Sequence, residues 1–271
     1  ATPTSPMARE IEVYSRKIGN RWCILPMEGW DCESDGAPSE LTRRRYLRFA
    51  KGGPGLIWFE ANAVCPEGRT NPRQMMLTLE NLSQFQNLLQ QLRAIAMNEN
   101  GISPVFILQL THSGRQSIVP MIAYRHPIYE QKRPVSDENL VADEYLDALS
   151  EKYAQSARLA AEAGFDGVDV KSCHGYLFQE LLSAFTREGR YGGSFENRTR
   201  LYLDCFRAVA KAIPKNFLLT TRLSVSDMVP KPYGFGTDEK GELDLTEPDR
   251  LLSRLDVLTS ARAVVAVAGM E

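Results

Sequence analysis

Residues 145–172, YLDALSEKYAQSARLAAEAGFDGVDVKS, contain the unit that decides the fold. Apolar residues recur at helical spacing up to Ala163, and Gly164 is the residue type that often follows the last turn of a helix. The run 166–172 then alternates valines with polar residues and has the length of a strand. A helix that leads directly into a short apolar strand is the repeating unit of α/β proteins.

The same alternation extends along the chain. Five helical stretches are predicted, at residues 39–51, 80–98, 145–163, 194–212 and 247–258. Six strand-like runs flank them, at residues 23–27, 55–61, 104–110, 166–172, 217–223 and 263–269. These runs are almost continuously apolar, which is typical of parallel strands whose two faces are both buried. The order therefore predicts a parallel sheet covered by helices.

Two architectures suit this order, a doubly wound sheet and a β/α barrel. A doubly wound nucleotide-binding sheet usually has a GxGxxG turn after its first strand. Here the first strand leads into PMEGWD, residues 26–31, which favours the barrel. A TIM-type (β/α)8 barrel has eight strands, whereas the pattern gives six. We therefore expect an α/β fold, a TIM-type barrel truncated after strand six, as a single domain over residues 1–271 that lacks the last two β/α units.

The composition excludes several classes of protein. Hydrophobic residues make up 43% of the 271 residues and charged residues 24%, which is typical of a globular domain and not of a disordered or collagen-like chain. The net charge of −2 gives no reason to expect a nucleic-acid or membrane partner, and no apolar run is long enough to span a bilayer. The five cysteines form no CxxC pair, which favours reduced, buried thiols, a cytoplasmic protein and no metal site.

Polar residues interrupt three adjacent apolar strands near their carboxyl ends: Gln109, Asp169, Lys171, Thr220 and Arg222. Because side chains alternate along a strand, these residues share one face of the sheet. Buried charges are unfavourable unless they are paired or functional. Two interpretations remain open: a structural network of the three charged residues, or an active site at the carboxyl-terminal face, where barrel enzymes carry their chemistry.

The segment that follows the fourth strand favours the active site. Lys171 and His174 could both donate hydrogen bonds to one carbonyl oxygen and stabilise negative charge that develops there. Tyr176 is a phenol that is protonated at neutral pH and can act as a general acid. A second histidine in a comparable position, His112, is interpreted as structural.

Six segments together point to one family: GNRWCILPMEGWD (19–31), GLIWFEANAV (55–64), FILQLTHSGRQ (106–116), AGFDGVDVKSCHGYL (163–177), YGGSFENRTR (191–200) and TTRLSVSD (220–227). In order and spacing they resemble the old yellow enzyme family, the NADH:flavin oxidoreductases that bind FMN in a β/α barrel. The resemblance covers nearly the whole chain, and HGYL followed by YGGSxENR is its most specific part.

The resemblance implies site residues and a reaction. The FMN-binding positions would be Pro26, Met27, Glu28, Ala61, Gln109 and Arg222. Lys171 and His174 match the pair that binds the substrate carbonyl, and Tyr176 matches the proton donor. NADH or NADPH would reduce FMN, and the hydride would pass to the activated alkene of an α,β-unsaturated carbonyl compound. Two residues depart from the family pattern, since Lys171 replaces a histidine and Glu28 stands where relatives often have threonine or cysteine.

Two other functions are compatible with the sequence. A truncated or divergent barrel with weak or no flavin binding could act as a binding or partner subunit, because an open barrel exposes sheet edges that can pair with a homo-oligomeric or partner chain. A flavin-free lyase could instead use Lys171 as a Schiff-base nucleophile.

Overall fold

A computed structural model describes residues 5–13, 16–258 and 266–270 of the chain. Two short antiparallel strands come first, β1 (Ile11–Val13) and β2 (Arg16–Ile18). The main sheet has six parallel strands in sequence order: β3 (Cys23–Ile24), β4 (Leu56–Ala63), β5 (Val105–Thr111), β6 (Gly167–Val170), β7 (Leu218–Ser226) and β8 (Ala266–Met270).

Helices connect these strands: α1 (Glu40–Lys51), α2 (Leu82–Asn100), α3 (Tyr129–Lys132), α4 (Asp143–Ala163), α5 (Leu177–Leu182), α6 (Phe195–Ala212) and α7 (Thr246–Leu258). The predicted alternation and the parallel α/β sheet are therefore confirmed. The start of the last predicted run, residues 263–265, lies outside the described residues. The truncated eight-stranded barrel and the single domain over residues 1–271 stay predictions.

Local sequence sets the ends of the long helices. The Ser39 hydroxyl accepts the amide hydrogen of Thr42 at the start of α1 (3.3 Å), and the Ser194 hydroxyl caps α6 in the same way. Gly164 follows α4 with a φ of +97°, a conformation that glycine adopts without steric strain. These residues therefore fix the start of α1 and α6 and the end of α4.

The two faces of the sheet differ in the side chains that they bury. The outer face packs against the helices, and the ring of Phe59 on β4 stacks on Tyr46 of α1 with 4.1 Å between ring centroids. The inner face is apolar only near the amino ends of the strands, where Ile18, Trp58 and Ile107 belong to a small separate cluster. The carboxyl ends of the same strands carry polar side chains on the inner face.

The structure corrects several details of the predictions. The first strand comprises only Cys23–Ile24, and the hairpin β1–β2 and helix α5 were not predicted because their runs are too short to show periodicity. The expectation that all thiols are buried is wrong for Cys23, which is exposed; all five cysteines are free. No helix among the described residues has the length and apolar character that a membrane span requires.

Candidate active site

A row of polar side chains crosses the inner face of the sheet. Strand register places Gln109 beside Ala61 on one side and Asp169 on the other, and Asp169 beside Thr220. The Gln109 amide nitrogen donates to one oxygen of Asp169 (2.7 Å), and the Thr220 hydroxyl donates to the other (3.0 Å). Because its nitrogen is committed to Asp169, Gln109 has its amide oxygen left to accept a hydrogen bond from a ligand.

The pKa of Asp169 reflects its burial. Removal from water raises the pKa from 3.8 to about 6, while the two hydrogen bonds and the charges of Lys171 and Arg222 act in the opposite direction. Arg222 is half-buried on β7, close enough for its charge to act on Asp169. The predicted grouping of polar residues is thus present, with a carboxyl whose charge is sensitive to its surroundings.

At the mouth of β6 three side chains meet at one carboxylate oxygen. Oε1 of Glu28 accepts the Tyr176 hydroxyl (2.8 Å) and the Lys171 ammonium (3.2 Å). The Lys171 nitrogen also lies 3.7 Å from the centroid of the Tyr176 ring. Lys171 therefore forms an ion pair with Glu28. Its charge and that of Arg222 also act on Asp169, so the structural network of these three charged residues stays a prediction.

Burial and charge keep Tyr176 protonated. Its pKa is raised well above the usual value near 10, first by burial and then by the Glu28 carboxylate that accepts its proton. Two hydroxyls, of Ser113 and Thr70, act in the opposite direction. Tyr176 therefore holds its proton throughout the physiological pH range, as a proton donor must before it reacts.

His174 lies at the rim of the same site. Its side chain is exposed, and its ring centroid is 6.3 Å from that of Tyr176. The backbone of His174 has a φ of +64°, which is uncommon for a residue other than glycine. The structure places His174 beside Tyr176 at the mouth of β6, and its joint action with Lys171 on a carbonyl oxygen stays a prediction.

The remaining predicted residues line the approach to this row. Pro26 is buried, whereas the Met27 side chain is 78% exposed and Ala61 is completely buried beside Gln109. A side chain as small as that of Ala61 leaves room above the inner face of the sheet. The roles of Pro26 and Met27 at a cofactor stay predictions.

Unpartnered hydroxyls indicate that this face accommodates a polar ligand. Thr111 ends β5 and Ser224 lies near the end of β7, both at positions that share the face of Gln109 and Thr220. Both hydroxyls are buried, and neither has a hydrogen-bond partner among the described residues. Because buried polar groups are nearly always satisfied, these donors, with the Gln109 amide oxygen and Arg222, fit a flat ligand rich in nitrogen and oxygen, such as the ring system of FMN.

An arginine already forms ion pairs with a second group of polar residues nearby. Asp31, Cys32 and Glu60 bring their ligand atoms within 4.8 Å of one another, as a metal site would. However, the Arg45 guanidinium contacts both carboxylates, at 2.8 Å from Asp31 and 2.6 Å from Glu60. The positive charge of Arg45 neutralises these carboxylates in place of a metal ion. We therefore assign the group a structural role, in which it holds the loop that carries Glu28.

Comparison with known proteins identifies the family. The profile of the NADH:flavin oxidoreductase / NADH oxidase family matches residues 9–247. The chain belongs to this family. The predicted resemblance to the old yellow enzymes is therefore confirmed, and FMN with NAD(P)H as reductant is the chemistry of the family.

Individual relatives agree with this assignment. The chain is 27% identical over 269 residues to the NADH-dependent flavin oxidoreductase nadA of Aspergillus parasiticus, covering 90% of this chain and 58% of that protein. It is 32% identical over 237 residues to an NADPH dehydrogenase of a Geobacillus species, covering 83% of this chain and 67% of that protein. The chain thus spans about three-fifths to two-thirds of the length of these relatives.

Solved structures show the shared fold. The Old Yellow Enzyme of a Pichia species superposes with a TM-score of 0.77 at 21% identity, covering 98% of this chain and 72% of that one. The old yellow enzyme homologue of Zymomonas mobilis gives 0.76 at 21% identity, covering 98% and 82%. The parallel sheet of this flavin oxidoreductase family member therefore has the same fold as the matching part of those two structures.

One member of the site was missed by sequence reasoning. The Trp30 indole nitrogen donates to Oε2 of Glu28 (2.8 Å), so it fixes the second carboxylate oxygen. Trp30 also has a positive φ of 48°, which bends the loop back toward Glu28. The only sequence signal was the position of Trp30, two residues after Glu28 in the PMEGWD segment.

Proposed function

We propose that this chain is an FMN-dependent oxidoreductase of the ene-reductase type. The observation that carries the proposal is the convergence of Lys171 and Tyr176 at the carboxyl end of β6, beside the polar row that suits a flavin ring. Its acceptor would be the activated alkene of an α,β-unsaturated carbonyl compound, and NADH or NADPH would be the reductant.

Each side chain has a defined part in this proposal. Bound FMN would supply the hydride. Gln109 would accept a hydrogen bond at the pyrimidine edge of the ring, and the positive charge of Arg222 would stabilise negative charge on it. Pro26, Met27, Glu28 and Ala61 complete the predicted cofactor positions.

The substrate side of the proposal rests on the mouth of β6. Lys171 and His174 would hold the carbonyl oxygen by hydrogen bonds and stabilise its developing charge. Tyr176 would donate its proton to the α-carbon. The lyase alternative is not supported, because an ammonium that is ion-paired with Glu28 has no free electron pair with which to attack a carbonyl.

One observation favours the second candidate, a binding or partner subunit with weak flavin affinity. Strand β3 lies at one edge of the described sheet, and apolar side chains next to it are strongly exposed, Trp22 at 51% and Leu25 at 65%. A homo-oligomeric or partner chain that covers this edge would bury them.

The visible absorption spectrum separates the two candidates. The purified chain is mixed with FMN and desalted, and its absorption is then followed under anaerobic conditions with NADH or NADPH. Retained flavin bands that bleach with the nucleotide and return with 2-cyclohexenone support the oxidoreductase. A chain that remains colourless while light scattering shows a stable oligomer supports the binding subunit.

The Tyr176→Phe variant tests the assignment of the proton donor. Loss of a general acid is expected to slow reduction of 2-cyclohexenone by roughly 10²–10⁴-fold. Flavin reduction by the nucleotide does not use this proton and should stay within about twofold of wild type. A parallel fall in both half-reactions would show that Tyr176 supports the site rather than donating the proton.

A further inference from the structure

The carboxylate of Glu28 holds the proton of the predicted donor. The Tyr176 hydroxyl is directed at Oε1 of Glu28 at 2.8 Å, so in this arrangement it is not free to point at an acceptor molecule. Trp30 occupies the other carboxylate oxygen at 2.8 Å, and Lys171 contacts Oε1 as well. Three donors thus fix Glu28 where it is.

The environment strengthens this restraint. The Lys171 side chain is 2% exposed and that of Glu28 12% exposed, so water screens the cluster poorly. If Tyr176 gave up its proton, a phenolate would form at hydrogen-bond distance from a carboxylate. The repulsion between these two like charges, added to burial, keeps the proton on the phenol.

This restraint affects two kinds of hydride acceptor differently. When an enone takes a hydride at its β-carbon, the alkene electron pair moves toward the carbonyl oxygen, and the α-carbon must then receive a proton. In the proposed function the Tyr176 O–H bond breaks to supply that proton and its electron pair stays on the phenolate oxygen. A quinone that takes a hydride becomes a hydroquinone monoanion, which receives its proton from water.

We propose that Glu28 is a specificity-determining residue that acts through Tyr176 and disfavours acceptors that need a proton at carbon relative to quinones. The inference rests on the proposed function and refines its substrate class. Glu28 is a positioning residue here, because it contacts the donor and not the acceptor. Removing its charge should release the Tyr176 hydroxyl and make it a better acid.

The ratio of two activities of the same enzyme tests the proposal. The kcat/KM for 2-cyclohexenone is divided by that for tetramethyl-p-benzoquinone, a quinone whose ring has no open position for addition of the exposed Cys23 thiol. In Glu28→Gln and in Glu28→Ala we expect this ratio to rise about 10-fold. The reason is that the acid dissociation constant of Tyr176 should increase by roughly one to two powers of ten, and proton transfer to the enone becomes faster with a more acidic donor. Glu33→Gln removes an exposed carboxylate from the same loop and should leave the ratio unchanged.

A double variant shows whether the effect passes through the phenol. If it does, Glu28→Gln in the Tyr176→Phe background should no longer change the ratio. A rise that persists without the phenol would overturn the proposal, since it would mean that Glu28 acts on the flavin or on Lys171 alone. Use of a ratio removes any change in flavin content that both acceptors share.

A second readout needs neither FMN nor turnover. Protein carrying ¹³Cζ-labelled tyrosine is titrated by NMR, and the Tyr176 signal is assigned by its loss in Tyr176→Phe. The titratable side chains that face the phenol are Glu28, Lys171 and His174, and of these only Glu28 is altered. We expect the pKa of Tyr176 to fall in Glu28→Gln and not in Glu33→Gln.

The outcomes separate this inference from the function on which it rests. If wild type reduces both acceptors and the ratio does not move in either Glu28 variant, the inference is wrong and the proposed function stands. If neither acceptor is reduced by the flavin-loaded wild type, the proposed function fails, and no specificity is left for Glu28 to determine. An unchanged pKa of Tyr176 in Glu28→Gln would also overturn the inference.

Discussion

Asp169 is expected to make the stability of this protein fall as the pH rises, and Asp169→Asn should remove that dependence. The carboxyl is completely buried and accepts hydrogen bonds from Gln109 and Thr220. Each tenfold change in proton affinity is worth about 1.4 kcal/mol. Raising the pKa from 3.8 to about 6 therefore corresponds to about 3 kcal/mol of lost stabilisation once the group is ionised.

The sign follows from the direction of the shift. The pKa of Asp169 is higher in the folded protein than in the unfolded chain, so the folded protein binds the proton more tightly. Its contribution to stability is fully present below a pH of about 4 and is lost as the pH rises through about 6. Asparagine does not titrate. Its amide oxygen can still accept a hydrogen bond from the Thr220 hydroxyl. The Gln109 side-chain amide can rotate so that its oxygen accepts a hydrogen bond from the new amide nitrogen. Allowing about 1 kcal/mol for a weakened hydrogen bond, we expect Asp169→Asn to be about 2 kcal/mol more stable than wild type at pH 8.

Urea unfolding of the two proteins between pH 4 and pH 8 measures this difference directly. Asp249→Asn is the matched control, because it removes the same charge from an exposed position. The difference between Asp169→Asn and wild type should grow from pH 4 to pH 7 and then level off. A difference that is constant across this range, or a variant that is less stable at pH 8, would refute the reasoning, because it would mean that ionised Asp169 stabilises the fold.

Two further predictions concern the arginines at the site. Arg45→Met leaves Glu60, a completely buried carboxylate that Arg45 contacts at 2.6 Å, without its charged partner; we expect a loss of about 3–5 kcal/mol in the free energy of urea unfolding, with little change in the exposed control Arg44→Met. Arg222→Ala removes the positive charge assigned to the flavin ring, and we expect less FMN to remain after desalting; flavin occupancy equal to that of wild type would contradict this assignment.

The polar row could be predicted from the sequence because it depends on strand periodicity alone. Gln109, Asp169 and Thr220 each sit in an apolar run, and alternation of side chains fixes the face on which they lie. Parallel strands in sequence order then bring them into register, as the pairing of Gln109 with Asp169 and of Asp169 with Thr220 shows. Tyr176 lies in the segment that follows β6, so chain order predicts that it is near the carboxyl end of that strand.

Contacts made by the loops could not be predicted in this way. The segment that carries Glu28 and Trp30 follows a strand of only two residues, Cys23–Ile24, so periodicity does not fix the direction of its side chains. The positive φ angles of Trp30 and His174 depend on the surrounding structure and have no sequence pattern in residues other than glycine. This is why the ion pair of Lys171 with Glu28 was not predicted, while the joint action of Lys171 and His174 on a carbonyl oxygen stays a prediction.

The two residues that depart from the family pattern are best understood as one change. From the sequence, Lys171 adds a cation to the mouth of the barrel and Glu28 adds an anion, and each would be unfavourable in a buried site without a partner. The structure joins them at 3.2 Å although they are 143 residues apart in the chain. Because removal of one member of a buried pair leaves the other charge uncompensated, each residue makes the other tolerable. The net charge that an acceptor meets at this mouth is therefore set by both positions together, and the acidity of Tyr176 is lowered first by burial and then by the Glu28 carboxylate.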